Sequence, residues 1–530
     1  MINKKNRAFS GPQFIILLGI VIIGGSLRLL LTSKIPYMGD ECGTLMNICY
    51  SPQYILTHFH TWLTMNWYIL LVKMIAEVFG EGFIPVRFLS IITGTGTIVL
   101  TGLISMRLFP KAAWLVPAAL VSFNPYLISY SAIARVYAVF SFCALLLLLL
   151  FLIWRDNPGW GNSISLAVSC LLLMLFNLNG IFILLWLLAI ILIELLRSIH
   201  DAEKYNLLWL GIKRLGIPSA FCMIGAGLFY FQLLGEIRRY STEWIAEKFS
   251  SISYVPDTFT LYFATKPVAW IMLCLMLIGV IRTFRWERYK CLWLSLWIIL
   301  PIISASILGY SFNFKDFGRF FIFVLPGILI FSSIGIDTIA SLFGGRLYKL
   351  VLSLVCLGFF LAWLPEIDKR LEKGDLLPFS KVFAYISKQV RKNDRVVSME
   401  FYSRHHLSPY MSCDERAAVE QATFTRDIFL HSSVPDLLKD TERGRVFLVS
   451  SCKNIHSFNS ETIAFGDIRV FVFNPEAKAE RYSRLLNGFE GAAKVLEKEA
   501  DPKNPLDEFA INISLSDLEK LKGDSEKEKH

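Results

Sequence analysis

TWLTMNWYILLVKMIAEVFG, residues 61–80, decides the topology of everything after it. It is about long enough to cross a bilayer, but Asn66, Lys73 and Glu77 interrupt the apolar run. This amphipathic pattern suits a helix lying in the interface, with Trp62, Trp67 and Tyr68 at headgroup depth. Whether it lies flat or crosses sets which side every later loop occupies.

Working outward, the chain has 530 residues of which 54% are hydrophobic. Apolar runs of about twenty residues recur through its first two thirds, which makes it a multi-span membrane protein and excludes a soluble enzyme. Lys4, Lys5 and Arg7 precede an apolar segment from Phe14 to Thr32 that lacks a small-residue cleavage site, so it reads as an uncleaved first span. Later spans are expected over 83–106, 112–129, 136–154, 163–176, 181–196, 215–234, 267–281, 292–309, 320–340 and 347–364.

With 61–80 in the interface and the N-terminus cytoplasmic, most of the loop cations fall inside. They are Arg107 and Lys111, Arg155, Arg197 with Lys213 and Arg214, the group from Arg282 to Lys290, and Arg346 with Lys349. That is the positive-inside pattern. With 61–80 as a span, every group would flip outward, and Arg135 and Arg319 would leave the face that carries Asp40. The interfacial reading gives about eleven transmembrane helices, interfacial helices in the first external loop and an external C-terminus. The formal charge of +10 is thereby assigned to orientation, and no nucleic-acid partner is implied.

The organisation follows. Residues 1–365 form the transmembrane domain, with a first external loop over 33–82 and a long external loop over 236–266 that contains Trp244, Tyr254 and Tyr262. Residues 366–475 change in composition to a small soluble α/β domain, with a helical stretch near 379–390 and strands over 395–401, 445–450 and 468–473. Residues 476–530 are a charged tail, partly disordered by composition. Of ten cysteines, several sit within spans as small apolar residues. Cys42 and Cys49, if helical, stand about 10 Å apart, too far for a disulfide, and Cys413 and Cys452 in the later soluble part are no more than a candidate pair. No CxxC, metal-ligand spacing, internal repeat or Gly-rich phosphate loop is present.

Four groups carry chemical interest. Asp40 and Glu41 follow the first span, where an external carboxylate can serve as general base. Arg87 stands in Pro85-Val86-Arg87-Phe88-Leu89-Ser90, Arg135 in Ala134-Arg135-Val136-Tyr137 after Asn124-Pro125-Tyr126, and Arg319 in Lys315-Asp316-Phe317-Gly318-Arg319. Each arginine alone reads as an ordinary snorkelling cation, and a loop carboxylate pair as a solvated face. Together they place three guanidiniums and a carboxylate pair at one depth on one face, and guanidiniums suit the phosphate of a lipid-linked donor.

Gly39-Asp40-Glu41, Trp67 to Leu71 leading to Phe79-Gly80, Arg87 to Ser90, Asn124-Pro125 with Ala134 to Tyr137, and Arg319 ahead of Leu325-Pro326 form an ordered set over roughly residues 14–340. This set resembles the GT-C glycosyltransferases of the family containing the protein O-mannosyltransferases and the lipid A aminoarabinose transferases, glycosyltransferase family 39 in type. The chain departs from that pattern at Leu63-Thr64-Met65-Asn66, where relatives often carry His-Pro-Pro-Leu or Lys-Pro.

The resemblance implies a GT-C fold, a polyprenyl-phosphate sugar donor, inverting transfer, and an active site on the extracytoplasmic face of an inner membrane. It implies Asp40 as base with Glu41 in support, Arg87, Arg135 and Arg319 on the donor phosphate, and Tyr137 shaping the cavity. His60 and Lys315 are read as edging the same cavity. The acceptor is a lipid, a glycan or a protein. No cofactor and no metal are expected, because no oxygen-ligand cluster accompanies the carboxylate pair. A transporter or flippase of lipid-linked saccharides is the alternative, but it would place ionisable groups mid-span and often show repeat symmetry. Here the charges collect at span ends.

Overall fold

The computed structural model describes residues 11–35, 39–57, 66–80, 82–110, 112–199, 202–244, 254–307, 318–372 and 385, and four strands between 395 and 473. The chain divides into two compact units, residues 1–35 with 50–374 and residues 36–49 with 375–530. In chain order the helices open with α1 (Gly11–Lys34), α2 (Gly39–Asn47), α3 (Pro52–Thr57) and α4 (Asn66–Phe79). Next come α5 (Phe83–Leu108), α6 (Leu115–Phe123), α7 (Pro125–Ser131), α8 (Tyr137–Asp156), α9 (Trp160–Phe176) and α10 (Gly180–Ser198). The rest are α11 (Ala202–Trp244), α12 (Tyr254–Tyr262), α13 (Lys266–Trp286), α14 (Arg288–Ile307), α15 (Leu325–Ser341) and α16 (Gly345–Glu372).

Among the described residues, 8 helical segments are long and apolar enough to cross a membrane. They lie in α1, α5, α8, α10, residues 205–225 of α11, α13, residues 322–341 and α16. α9 is a shorter apolar helix. The span expected over 112–129 is two helices, α6 and α7, because Pro125 lacks the N–H that would carry the helix past Asn124. The Asn124 side chain instead caps the new helix by accepting from the Leu127 N–H at 3.0 Å.

Residues 66–79 form α4, 14 residues rising about 21 Å, which is shorter than the hydrocarbon core of about 30 Å. One side of α4 is buried through Tyr68, Ile69, Val72 and Ala76, while Met74, Val78 and Phe79 are exposed. Lys73 and Glu77 pair along the helix at 3.0 Å. Tyr68 is fully buried against the protein.

The loop cations gather at one end of the first unit. Arg107 at the end of α5 meets Asp156 at the end of α8 at 3.5 Å. Arg155 lies 4.4 Å from the centre of the Trp293 ring, and Arg197 3.7 Å from that of Tyr289. The Tyr348 hydroxyl donates to Asp337, which also has the Ala113 backbone and Arg282 as neighbours. Arg214 is part of the continuous helix α11 and not of a loop, yet its Nη1 reaches the Pro158 carbonyl in the α8–α9 turn at 3.2 Å, so it belongs to this end as well.

The core between the spans is aromatic, and some of its indoles are satisfied from within, whereas the buried Trp293 Nε1 and Trp363 Nε1 have no hydrogen-bond partner among the described residues. Trp154 Nε1 donates to Ser163 Oγ at 3.0 Å and Trp186 Nε1 to the Trp293 carbonyl at 3.0 Å. α13 and α15 approach most closely, where a Cβ on Gly279 would fall on the Phe331 carbonyl and one on Gly335 on the Leu275 carbonyl. Small residues at such a crossing let two backbones touch in a medium that offers no hydrophobic drive between helices.

The second unit contains α2, which holds Asp40 and Glu41 in its first turn. It also contains a four-stranded sheet in the order β1-β2-β4-β3, from β1 (Arg395–Ser398), β2 (Val446–Ser450), β3 (Glu461–Phe465) and β4 (Ile468–Phe473). β1 and β2 are parallel, with Arg395 opposite Val446, whereas β4 is antiparallel to both β2 and β3. Three of the four strands were expected, and β3 was not. Of the helical stretch expected over 379–390 only residue 385 is described, and the tail over 476–530 lies outside the described residues. The six cysteines of the spans are free. Cys49, just past α2, is disulfide-bonded, so the loop cysteines are not all unpaired.

Candidate active site

The end of the first unit opposite the cation cluster carries the candidate site. α7 stops at Ser131, and the Ala132 N–H closes it by donating to the Ile128 and Ser129 carbonyls, both at 3.1 Å. A tight turn follows, held by the Arg135 N–H donating to the Ile133 carbonyl at 2.8 Å, and α8 begins at Tyr137. Arg135 thus sits on the turn between two helices with its side chain largely buried. Arg319 reaches the same place from the other end of the sequence, on the short segment that precedes the 3₁₀ turn Ile322–Val324.

Both guanidiniums come to one ring. The Arg135 Cζ lies 5.8 Å and the Arg319 Cζ 5.7 Å from the centre of Tyr137, and Arg319 is also 5.6 Å from Phe320. Tyr137 belongs to a chain of aromatic contacts, 5.2 Å from Tyr130, which is 4.7 Å from Tyr126, which in turn is 5.0 Å from Tyr262 on α12. Cation–ring contacts of this kind contribute about 0.5–2 kcal/mol each, the larger values where water is excluded. The wall of tyrosines therefore orients the two cations as well as bordering them.

Hydrogen bonds on two sides fix the backbone that carries these arginines. On one side Tyr68 of α4 hydrogen-bonds the Ser90 hydroxyl at 3.0 Å, and Ser90 Oγ donates to the Arg135 carbonyl at 3.1 Å. On the other, the Tyr262 hydroxyl donates to the Gly318 carbonyl at 2.9 Å, and Asn124 Nδ2 holds the Tyr262 carbonyl at 3.0 Å. Burial, reinforced by the neighbouring Tyr130, holds the Tyr262 hydroxyl well above a tyrosine's ordinary pKa. It therefore stays protonated and remains a donor.

Arg87 makes its ring contact with Phe83, at 5.2 Å. It is fully buried, and its Nη1 donates to the Thr32 and Ile35 carbonyls at 2.8 and 2.7 Å. It ties α5 to the last turn of α1, where helix carbonyls lack intrahelical partners. Arg28, one turn and a half earlier in α1, is a residue that sequence reasoning passed over. It donates Nε to Ser131 Oγ at 3.3 Å, Nη1 to the Gly24 and Ser122 carbonyls at 2.9 and 3.2 Å, and Nη2 to the Val121 carbonyl at 3.2 Å.

Of the remaining expected site residues, Glu41 is buried in the first turn of α2. Asp40 precedes it in the same turn. His60 and Lys315 lie outside the described residues. Among the described residues no group of three or more His, Cys, Asp or Glu is placed to hold a metal ion. Sequence reasoning missed Tyr68, Ser90, Tyr126, Tyr130 and Tyr262 as parts of this arrangement. Tyr262 had been noted only as a loop aromatic, and no spacing rule links it to Gly318. Chemically, two guanidiniums oriented by one aromatic face are suited to an oxyanion, a phosphate above all.

No family model matches the sequence, and no curated protein matches it. Among solved structures, the chain is similar to apo ArnT from Cupriavidus metallidurans, with 13% identity and a TM-score of 0.58 over 87% of this chain and 98% of that one. It is similar to the same protein bound to undecaprenyl phosphate, with 12% identity and a TM-score of 0.57 over the same 87% and 98%. A third is the archaeal oligosaccharyltransferase AglB from Archaeoglobus fulgidus, in complex with an inhibitory peptide and a dolichol-phosphate. There the identity is 11% and the TM-score 0.52, over 83% of this chain and 70% of that one. The chain therefore has the fold of ArnT and AglB, the GT-C fold that the ordered motifs imply.

Proposed function

We propose that this protein is a membrane glycosyltransferase that moves one sugar from a polyprenyl-phosphate carrier to an acceptor at the extracytoplasmic face, with inversion at the anomeric carbon. The observation that carries the reading is the convergence of Arg135 and Arg319 on the ring of Tyr137. The fold supports it, since ArnT with this fold is solved with undecaprenyl phosphate and AglB with dolichol-phosphate. In this reading the membrane is a bacterial inner membrane, crossed about eleven times, with the N-terminus cytoplasmic and the C-terminal α/β domain outside.

Asp40 takes the proton from the acceptor hydroxyl or amine as that atom forms its bond to the anomeric carbon. The bond from that carbon to the phosphate oxygen breaks, and its electron pair leaves with the polyprenyl phosphate. Arg135 and Arg319 hold the leaving phosphate as its charge grows. Arg87 is the third donor-phosphate cation of this reading, and its bonds to the Thr32 and Ile35 carbonyls fix the end of α1, ahead of Asp40 and its supporting neighbour Glu41.

Asp40→Asn in purified protein should reduce transfer from a polyprenyl-phosphate sugar by at least about a hundredfold, the scale of general-base catalysis, with donor binding retained. Full transfer by that variant would remove the base assignment. Arg319→Glu should abolish saturable binding of undecaprenyl phosphate, and unchanged affinity would remove the phosphate assignment. Comparing cell-envelope glycans, lipids and glycoproteins of a gene-deleted strain by mass spectrometry would identify the acceptor.

A further inference from the structure

The two arginines at Tyr137 come from distant parts of the sequence, and each is anchored in the same way. A tyrosine hydroxyl from an external-loop helix reaches the backbone carbonyl of the arginine or of the residue before it. For Arg135 the path runs from Tyr68 on α4 through Ser90 Oγ, at 3.0 and then 3.1 Å. For Arg319 it runs from Tyr262 on α12 directly to the Gly318 carbonyl, at 2.9 Å. Tyr68 and Ser90 are fully buried and Tyr262 nearly so, so water does not replace these bonds at no cost.

Neither tyrosine is needed where it stands for simple packing alone. A phenylalanine would fill the same volume, and what the hydroxyl adds is a fixed position for one carbonyl. α4 is itself braced at its start, where Asn66 Nδ2 donates to the Ile55 carbonyl at the end of α3 at 2.7 Å. α12 is braced through Asn124, the residue that also caps α7. Gly318 leaves room for the arrangement, since a Cβ there would press on the Tyr126 hydroxyl and on Leu261. Each of the two external-loop helices is thus wired by one hydroxyl to one of the two guanidiniums.

We propose that Tyr68 and Tyr262 are positioning residues for the anion site, Tyr68 acting through Ser90 on Arg135 and Tyr262 acting through Gly318 on Arg319. The inference rests on the reading of these arginines as phosphate ligands. By this wiring, a change in either loop helix reaches the phosphate site through a single hydroxyl.

The test is a pair of double-mutant cycles read by the affinity of the full-length protein for undecaprenyl phosphate. Tyr68→Phe and Tyr262→Phe should each weaken binding on the order of fivefold, because the guanidinium is no longer preorganised for the anion, while the thermal midpoint of the apo protein falls by only the few degrees that one buried hydrogen bond is worth. Tyr68→Phe should cost nothing further in an Arg135→Gln background, and Tyr262→Phe nothing further in Arg319→Gln. Equal losses in both backgrounds would mean that the tyrosines act on general stability, and no loss from either would also overturn the proposal. If Arg135→Gln and Arg319→Gln themselves leave the affinity unchanged, the phosphate reading fails first and the inference falls with it. Ser90→Thr, which keeps the hydroxyl, should bind more tightly than Ser90→Ala.

Discussion

Arg28 is fully buried in a helix that is otherwise apolar, and among the described residues it forms no ion pair. Its charge is met by neutral oxygens: the carbonyls of Gly24, Val121 and Ser122 and the hydroxyl of Ser131. The reason lies in the break between α6 and α7. In a continuous helix the Val121 carbonyl would accept from the N–H of residue 125, but residue 125 is proline and has none. Buried and unpaired, that carbonyl would cost about 1–3 kcal/mol, and Arg28 Nη2 fills the vacancy. Arg28→Met should therefore destabilise the protein by about 1–3 kcal/mol, the cost of leaving that buried carbonyl unsatisfied. Arg28→Lys should recover only part of the loss, because one ammonium cannot fork to several carbonyls at once. Thermal unfolding in detergent reads both, and a midpoint for Arg28→Met within a degree of the parent would show that the break needs no such clasp. The charge itself stands in plain view in the first apolar run. Its purpose could not be read there, because it depends on a proline about a hundred residues downstream.

At the scale of elements, α13 and α15 form the tightest crossing in the first unit, and it depends on two glycines with backbone in place of side chains against them. The Ser332 hydroxyl bonds the Met272 carbonyl across the same seam at 3.2 Å, adding a polar contact where lipid offers no alternative partner. Gly335→Ala puts a methyl group against the Leu275 backbone, which cannot rotate away as a side chain could. It should cost about 1–3 kcal/mol as an overpacked core. Gly358→Ala, on α16 with nothing within 4 Å of the new atom, is the matched control and should be neutral or slightly stabilising. A thermal midpoint lowered equally by both would assign the effect to membrane insertion in place of this crossing. Sequence periodicity located both helices, and it was silent on the seam because nothing local distinguishes Gly335 from Gly358. The α6–α7 break was nearer to being legible. Asn124-Pro125 was quoted as a motif, but the apolar run continued across it and hid the cap.

For the whole molecule, the question is whether α6 and α7 together count as one crossing. Arg107 and Asp156 join the ends of α5 and α8 at 3.5 Å, while Ser90 near the start of α5 holds Arg135 just before the start of α8. α5 and α8 therefore run in the same direction, and the chain between them must return across the full thickness. Two short helices, of 9 and 7 residues, do so. This preserves the parity that the positive-inside pattern demands, although no single helix there is long enough to be recognised as a span. It also explains why Arg107, Arg155 and Arg197, from the last turns of three separate helices, lie at one end while Arg135 and Arg319 meet at the other. In the proposed orientation the basic end is the cytoplasmic one, as the positive-inside pattern expects. A cysteine placed at Gln53 on α3 should gain reactivity towards a membrane-impermeant maleimide in intact cells, and one placed at Ser341 at the end of α15 only after permeabilisation; both positions are exposed. The reverse pattern would put the arginine pair on the cytoplasmic side, and with it any lipid-phosphate donor the protein uses. Labelling of both positions in intact cells would mean that the α6–α7 pair does not complete its crossing, a result the Arg107–Asp156 contact forbids.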